Sequence, residues 1–246
     1  MAQDRSATLA PTLRPLLALA KKNYPMPRQR TLARIHRILC RRFGTPRQPH
    51  PAREPLDCLI RTILSQNTSD VNSTRAWTSL RKRFPRWDDV LAAPPAALTA
   101  AIRSGGLARQ KSRRIRSILQ WTRHRFGRLT LRTLHNMTDD QVRTTLAALP
   151  GVGPKTIHVL LAFALSRDAL PVDTHVHRIT TRLGLLPPRC TPERAHAHLA
   201  PLVPHGAAYA LHANLLQLGR LLCRPQRPRC PECPLLPLCP EAARRT

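Results

Sequence analysis

The chain has 246 residues, with 41 Lys and Arg against 13 Asp and Glu, a formal charge of +28. Thirty-six of the 41 cations are Arg, whose planar fork pairs with phosphate in two bonds at once, so composition points to nucleic acid as partner. A hydrophobic fraction of 42% excludes an unfolded polycation, and scarce Val, Ile and aromatic residues exclude a sheet-built stacking platform, leaving an all-α protein.

Residues 1–27 mix Pro, Ala and Lys without steady periodicity and read as a basic, mobile extension. Arg14, Pro11 and Pro15 break the one signal-like stretch, Leu9 to Ala20, and no apolar run reaches the roughly 18 residues that span a bilayer. The expectation is a cytoplasmic monomer, nucleoid-associated in a bacterium, with no membrane attachment. A first amphipathic helix starts at Arg28 with Leu32, Ile35, Ile38 and Leu39 on one face, and a Pro-rich connector follows from Thr45 to Pro55. Six further helical patterns run Leu56–Leu64, Val71–Leu80, Asp88–Leu91, Leu98–Ile102, Ile115–Trp121 and Val142–Leu149. Others cover Pro154 to about Ser166, Thr174–Leu183 and Ala207–Leu222. The run Arg109, Lys111, Arg113, Arg114 and Arg116 reads as a set of phosphate grips.

Thr138-Asp139-Asp140-Gln141 has the form of a capping box and opens a helix that stops at Pro150. Gly151-Val152-Gly153 then makes a tight hairpin, and Pro154 suits the first position of a second helix. Such a hairpin points backbone N–H groups and the positive end of a helix dipole at one spot, which suits a phosphate oxygen and grips DNA without reading bases. Lys155 sits in the first turn of that helix, where the dipole disfavours its ammonium form; a neutral amine is a nucleophile for Schiff-base chemistry. Eighteen residues on, Asp173 of Val172-Asp173-Thr174-His175 stands at the N-cap of the next helix.

Four of seven Cys fall at the end as Cys223-x6-Cys230-x2-Cys233-x5-Cys239, a spacing that satisfies either zinc or an iron–sulfur cluster. Arg224, Arg227 and Arg229 lie on the loop between the first two, stiffened by Pro225 and Pro228, and read as a second phosphate grip. Cys40, Cys58 and Cys190 have no partner spacing and are assigned to packing.

Leu149 to Thr156, the Val-Asp-Thr-His motif and the four cysteines, in this order and spacing, resemble the endonuclease III family of DNA repair glycosylases, within the helix-hairpin-helix superfamily. The resemblance spans about residues 28–240. It implies two helical domains: a six-helix barrel with the hairpin at 50–168, and an iron–sulfur cluster domain made of 28–49 and 169–246, with double-stranded DNA in the cleft between. It further implies that Lys155 attacks C1′ of a damaged nucleoside, that Asp173 supports the attack, and that a Schiff base leads to β-elimination 3′ to the abasic site. For the four Cys it implies a structural [4Fe–4S] cluster. Asn67 aligns with the family's gap-filling Gln, one methylene shorter, with Gln66 as a neighbour able to share the role; Leu107 matches its apolar wedge, beside a Gly105 and an Ala108 smaller than the residues expected there. Adenine-mismatch glycosylases are an alternative, but where they carry a catalytic Glu this chain has Thr62; a non-catalytic DNA-binding protein is the other, opposed by intact Lys155 and Asp173.

Overall fold

The structure is a computed structural model that describes residues 28–48 and 54–243; the extension expected over 1–27 lies outside the described residues. Twelve α-helices and short 3-10 turns make up the described residues, with no strand among them. Helix α1 (Arg28–Phe43) buries Leu32, Ile35 and Leu39, and Ile38 packs half-buried beside them. Glu54 caps α2 (Pro55–Ser65): its carboxylate accepts from Leu56 N–H at 3.4 Å, Leu131 N–H at 2.8 Å and Thr130 Oγ1 at 2.9 Å, joining the start of α2 to the segment after α6. Ser69 caps α3 (Asp70–Arg83), and α4 (Trp87–Ala92) and α5 (Pro95–Ala101) follow across short turns.

A 3-10 turn, Arg103–Gly105, leads into the long α6 (Ala108–Phe126), which ends where Gly127 takes φ +71°, a left-handed conformation that Gly reaches without steric cost. Both halves of the capping box form at α7 (Asp139–Ala147): Thr138 Oγ1 accepts from Gln141 N–H, and Gln141 Oε1 accepts from Thr138 N–H at 2.8 Å. Then come α8 (Pro154–Phe163), α9 (Thr174–Arg182), α10 (Pro192–Leu199), α11 (Ala208–Leu221) and α12 (Pro240–Ala243). Helix α10 has no counterpart in the periodicity reading; its start is marked by Thr191, whose Oγ1 accepts from Arg194 N–H, and by Pro192 in the first turn.

The apolar side chains gather into two cores. One draws on Leu56 through Ala169, the other on Leu32, Ile35 and Leu39 together with Leu170 through Leu235. Each fully buried Leu or Ile contributes about 1.5–3 kcal/mol, whereas an exposed ion pair such as Arg86–Asp89 contributes about 0–1 kcal/mol. Packing, not charge pairing, holds this Arg-rich chain folded. Helix α8 joins the cores: Phe163 meets the rings of Tyr209 and His212 edge-on at 5.1 and 5.7 Å. Gln48 donates to Ala162 O at 2.7 Å, and an ion pair links Asp70 of α3 to Arg220 of α11. No helix among the described residues is long and apolar enough to cross a membrane.

Candidate active site

Gly151 takes φ +80° at the tip of the turn from α7 to α8, and a Cβ there would stand 2.7 Å from Arg114 Nε. The positive φ favours Gly at that position, and a side chain there would also displace the Arg114 guanidinium. Gly153, the N-cap of α8, has ordinary extended dihedrals and nothing within 4 Å of where a Cβ would be; it leaves the front of the helix N-terminus open. Val152 between them is buried and pins the hairpin to the first core. Lys155 lies exposed in the first turn of α8.

Asp173 is the half-buried N-cap of α9, its Oδ1 accepting from Val176 N–H at 2.7 Å. A buried histidine pair couples it to the helix of Lys155. His158, one turn along α8, gives its Nδ1–H to Pro154 O at 2.8 Å, because a carbonyl only accepts; Nε2 then accepts from Arg143 at 3.1 Å. Its ring lies 4.3 Å from that of His196 on α10, and His196 Nε2 accepts from Val172 N–H, the residue before Asp173. His212 on α11, buried and bonded through Nδ1 to Pro171 O at 2.9 Å, feels both site charges: burial lowers its pKa first, Asp173 opposes this and Lys155 adds to it. Lys155 and Asp173 therefore both lie within electrostatic reach of one buried imidazole. The scattered histidines of the sequence supply this support, which linear spacing does not reveal.

Burial lowers the His158 pKa from 6.5 to about 4; the bond to Pro154 opposes the shift, and His196 and Arg143 reinforce it. A base depressed in the folded state binds its proton more readily when unfolded. The stability it confers is complete above pH 6.5 and is lost as pH falls from 6.5 towards 4, by about 3 kcal/mol. Urea melts at pH 7 and pH 4.5 are expected to show this loss in the wild type and a smaller one in His158→Gln.

Two turns expose their tips, one just after α2 and one just before α6. Asn67, just past α2, has φ +52°, and Leu107, the N-cap of α6, has φ +48° and is 54% exposed. Asn tolerates the left-handed region better than most side chains, so its place at the tip of this turn has a conformational reason. Gln66 does not extend outward with Asn67: its Oε1 accepts from Arg114 at 2.9 Å and its Nε2 donates to Gly151 O at 3.3 Å. The small Gly105 also has a reason, since a Cβ there would meet Ala76 Cβ at 3.2 Å. Three members of the expected Arg and Lys grip are engaged by the protein itself, Arg114 among them through Gln66 Oε1. Lys111 is 1% exposed, and Arg116 is spent on Val90, Leu91 and Ala93 carbonyls at 2.7 to 3.2 Å.

Cys223, Cys230, Cys233 and Cys239 line one cavity with Leu222 and Leu236, and no Cys among the described residues is in a disulfide. Burial raises the Cys233 thiol pKa, and the other three sulfurs add to the shift. Arg182 donates to Cys223 Sγ at 3.2 Å and to Arg224 O at 2.8 Å; Arg178 donates to Cys223 O at 2.8 Å. The four thiols stand around the walls of this cavity. Arg224 and Arg227 are exposed on the loop, with Arg227 at φ +48°, while Arg229 forms a two-bond ion pair with Glu232.

A cavity of about 480 Å³ opens between α2, α3 and α8. Its lining includes Asp57, Thr62, Ser65, Trp77 and, on α8, Val159 and Phe163, which follow Lys155 at helical spacings of four and eight residues. Burial raises the Asp57 carboxyl pKa against the pull of Arg81, and Trp87 Nε1 donates to it at 2.9 Å. Thr62 gives its hydroxyl to Cys58 O at 2.8 Å.

An all-α architecture in which a Gly-bounded hairpin sets a Lys at one helix N-terminus and an Asp at the next defines a helix-hairpin-helix protein. Residues 60–205 match the HhH-GPD superfamily of base excision DNA repair proteins, and the chain belongs to that family. Within it the chain is similar to endonuclease III: the Thermotoga maritima protein is 34% identical over 192 residues, covering 78% of this chain and 84% of its own. An Arabidopsis thaliana protein named as a DNA glycosylase is 40% identical over 166 residues, which is 68% of this chain and 57% of that longer protein. A solved trapped endonuclease III–DNA covalent intermediate superposes with a TM-score of 0.75 at 28% identity, covering 89% of this chain and 99% of that one.

Proposed function

We propose that the protein is a bifunctional DNA N-glycosylase and AP lyase that removes oxidised pyrimidines from double-stranded DNA. The observation that carries this reading is Lys155 and Asp173 at the N-termini of successive helices, α8 and α9, linked through His158 and His196. A likeness to a protein trapped covalently on DNA supports it. The barrel domain is 50–168 and the second domain 28–49 with 169–246, the DNA lying between them.

The hairpin N–H groups of Gly151 and Gly153 hold a phosphate, Arg224 and Arg227 hold others while Arg229 stays paired with Glu232, Leu107 enters the stack, and Asn67 fills the place of the extruded nucleotide. The cavity between α2, α3 and α8 receives the base. The Lys155 amine attacks C1′, the N-glycosidic bond breaks with its electron pair leaving on the base, and Asp173 accepts the proton shed by the amine. Opening of the sugar gives an imine between Nζ and C1′. Loss of a C2′ proton then expels the 3′ phosphate by cleavage of the C3′–O bond, and water hydrolyses the imine to restore Lys155. The four cysteines, a thiol set around an apolar-walled space, would hold a [4Fe–4S] cluster that cross-links the C-terminal loop.

Borohydride reduction in the presence of a duplex bearing one abasic site or one oxidised pyrimidine is expected to trap a covalent protein–DNA adduct. Absence of any adduct from fully loaded protein overturns the lyase reading.

A further inference from the structure

We propose that Lys111 and Arg114 of α6 are positioning residues that lock the Asn67 turn, the Leu107 turn and the Gly151 hairpin into one unit, so that a lesion is engaged by all three together. The inference rests on the functional reading above, in which those turns meet DNA.

Lys111 occupies the buried stripe of α6 with Ile115, Ile118 and Leu119, where an apolar side chain belongs by helical spacing. Its ammonium instead donates to Leu64 O at 2.7 Å and to Gly105 O at 2.8 Å. Leu64 lies three residues before Asn67, at the C-terminal end of α2, and Gly105 lies two before Leu107. Two carbonyls and the negative end of the α2 dipole together offset the cost of burying the charge. The cation thus fixes the separation of the two turns. Arg114, one helical turn on, carries the same unit to the hairpin. Its guanidinium donates to Gln66 Oε1, Gln66 donates to Gly151 O, and the Arg114 side chain lies where a Cβ on Gly151 would be.

Surface turns are ordinarily the mobile part of a fold, and ordering three of them on binding would cost affinity for the lesion. Here that ordering is done in advance by two side chains that need touch no DNA. The arrangement predicts that damage selectivity depends on Lys111 and Arg114 while affinity for intact duplex does not.

The test uses the full chain with a duplex bearing a tetrahydrofuran abasic analogue, 2-aminopurine opposite it, and an unmodified duplex of the same sequence. Lys111→Met removes the buried clamp, and Arg114→Lys keeps the charge but loses the planar fork. Each is expected to lower the preference for the analogue by about tenfold, as small misplacements of positioned groups do. Each is also expected to reduce the 2-aminopurine response while binding unmodified duplex as the wild type does. Leu107→Ala is expected to cost selectivity in the wild type and little more in Lys111→Met; strict additivity overturns the clamp. Should Lys111→Met fail to fold, Arg114→Lys carries the same expectation on a half-exposed position. A wild type that prefers the analogue, with both variants unchanged, overturns this proposal alone. A wild type without preference overturns the functional reading and the proposal with it.

Discussion

Lys155→Ala is expected to abolish the borohydride-trapped adduct and to lower incision of an abasic duplex by at least about 10³-fold, the scale set by loss of a covalent nucleophile. Affinity for the same duplex, measured by anisotropy, is expected to change little. No other amine among the described residues can replace it: Lys111 is buried on two carbonyls, and Lys82 lies in the last turn of α3. Asp173 calls for two substitutions, because the residue caps α9 and is also the proposed proton acceptor of the reaction. Asp173→Asn keeps an N-cap acceptor and is expected to lower incision with little effect on melting. Asp173→Ala loses both, including about 1 kcal/mol of stability. Full incision by Asp173→Asn would leave the carboxylate a cap and nothing more.

Full-length protein purified anaerobically is expected to be brown, with about four irons per chain, and Cys233→Ser to lose the colour and several kcal/mol of stability, since metal binding to such thiols is largely folding free energy. A colourless, zinc-bearing protein would remove the cluster from this account. The damage should not stay local. Helix α9 carries Asp173 at its start and, further along, Arg178 and Arg182, which grip Cys223 and the two residues after it. Cys233→Ser is therefore expected to lower incision as well as thermal stability, the two falling together as iron is lost.

Local patterns carry most of the fold. The apolar stripes, the Thr138 box, the Gly151–Gly153 hairpin and the Asp173 cap are legible because each is decided within a few residues of chain. Helix α10 is not, since eight residues with two His and a Glu give no sustained period, and only Thr191-Pro192 marks its start. The Arg and Lys run of α6 misleads for a related reason. Charge count sees five cations within eight residues, whereas the helical period puts Lys111 on the stripe of Ile115, Ile118 and Leu119. That spacing is the signal that would have found it. His158 and His196 meet only across the fold, 38 positions apart, and His212 follows a further 16 positions on, so no short sequence window contains all three.

The two left-handed turns at Asn67 and Leu107 carry a consequence for anyone improving the protein's durability. A leucine held at φ +48° costs about 1–2 kcal/mol relative to glycine. A heat-resistance selection blind to DNA would therefore reward Leu107→Gly, and Asn67→Gly to a lesser extent. It would return a hardier molecule with the two side chains proposed to enter DNA filed off, a trade visible only when survival and repair are scored on the same variants.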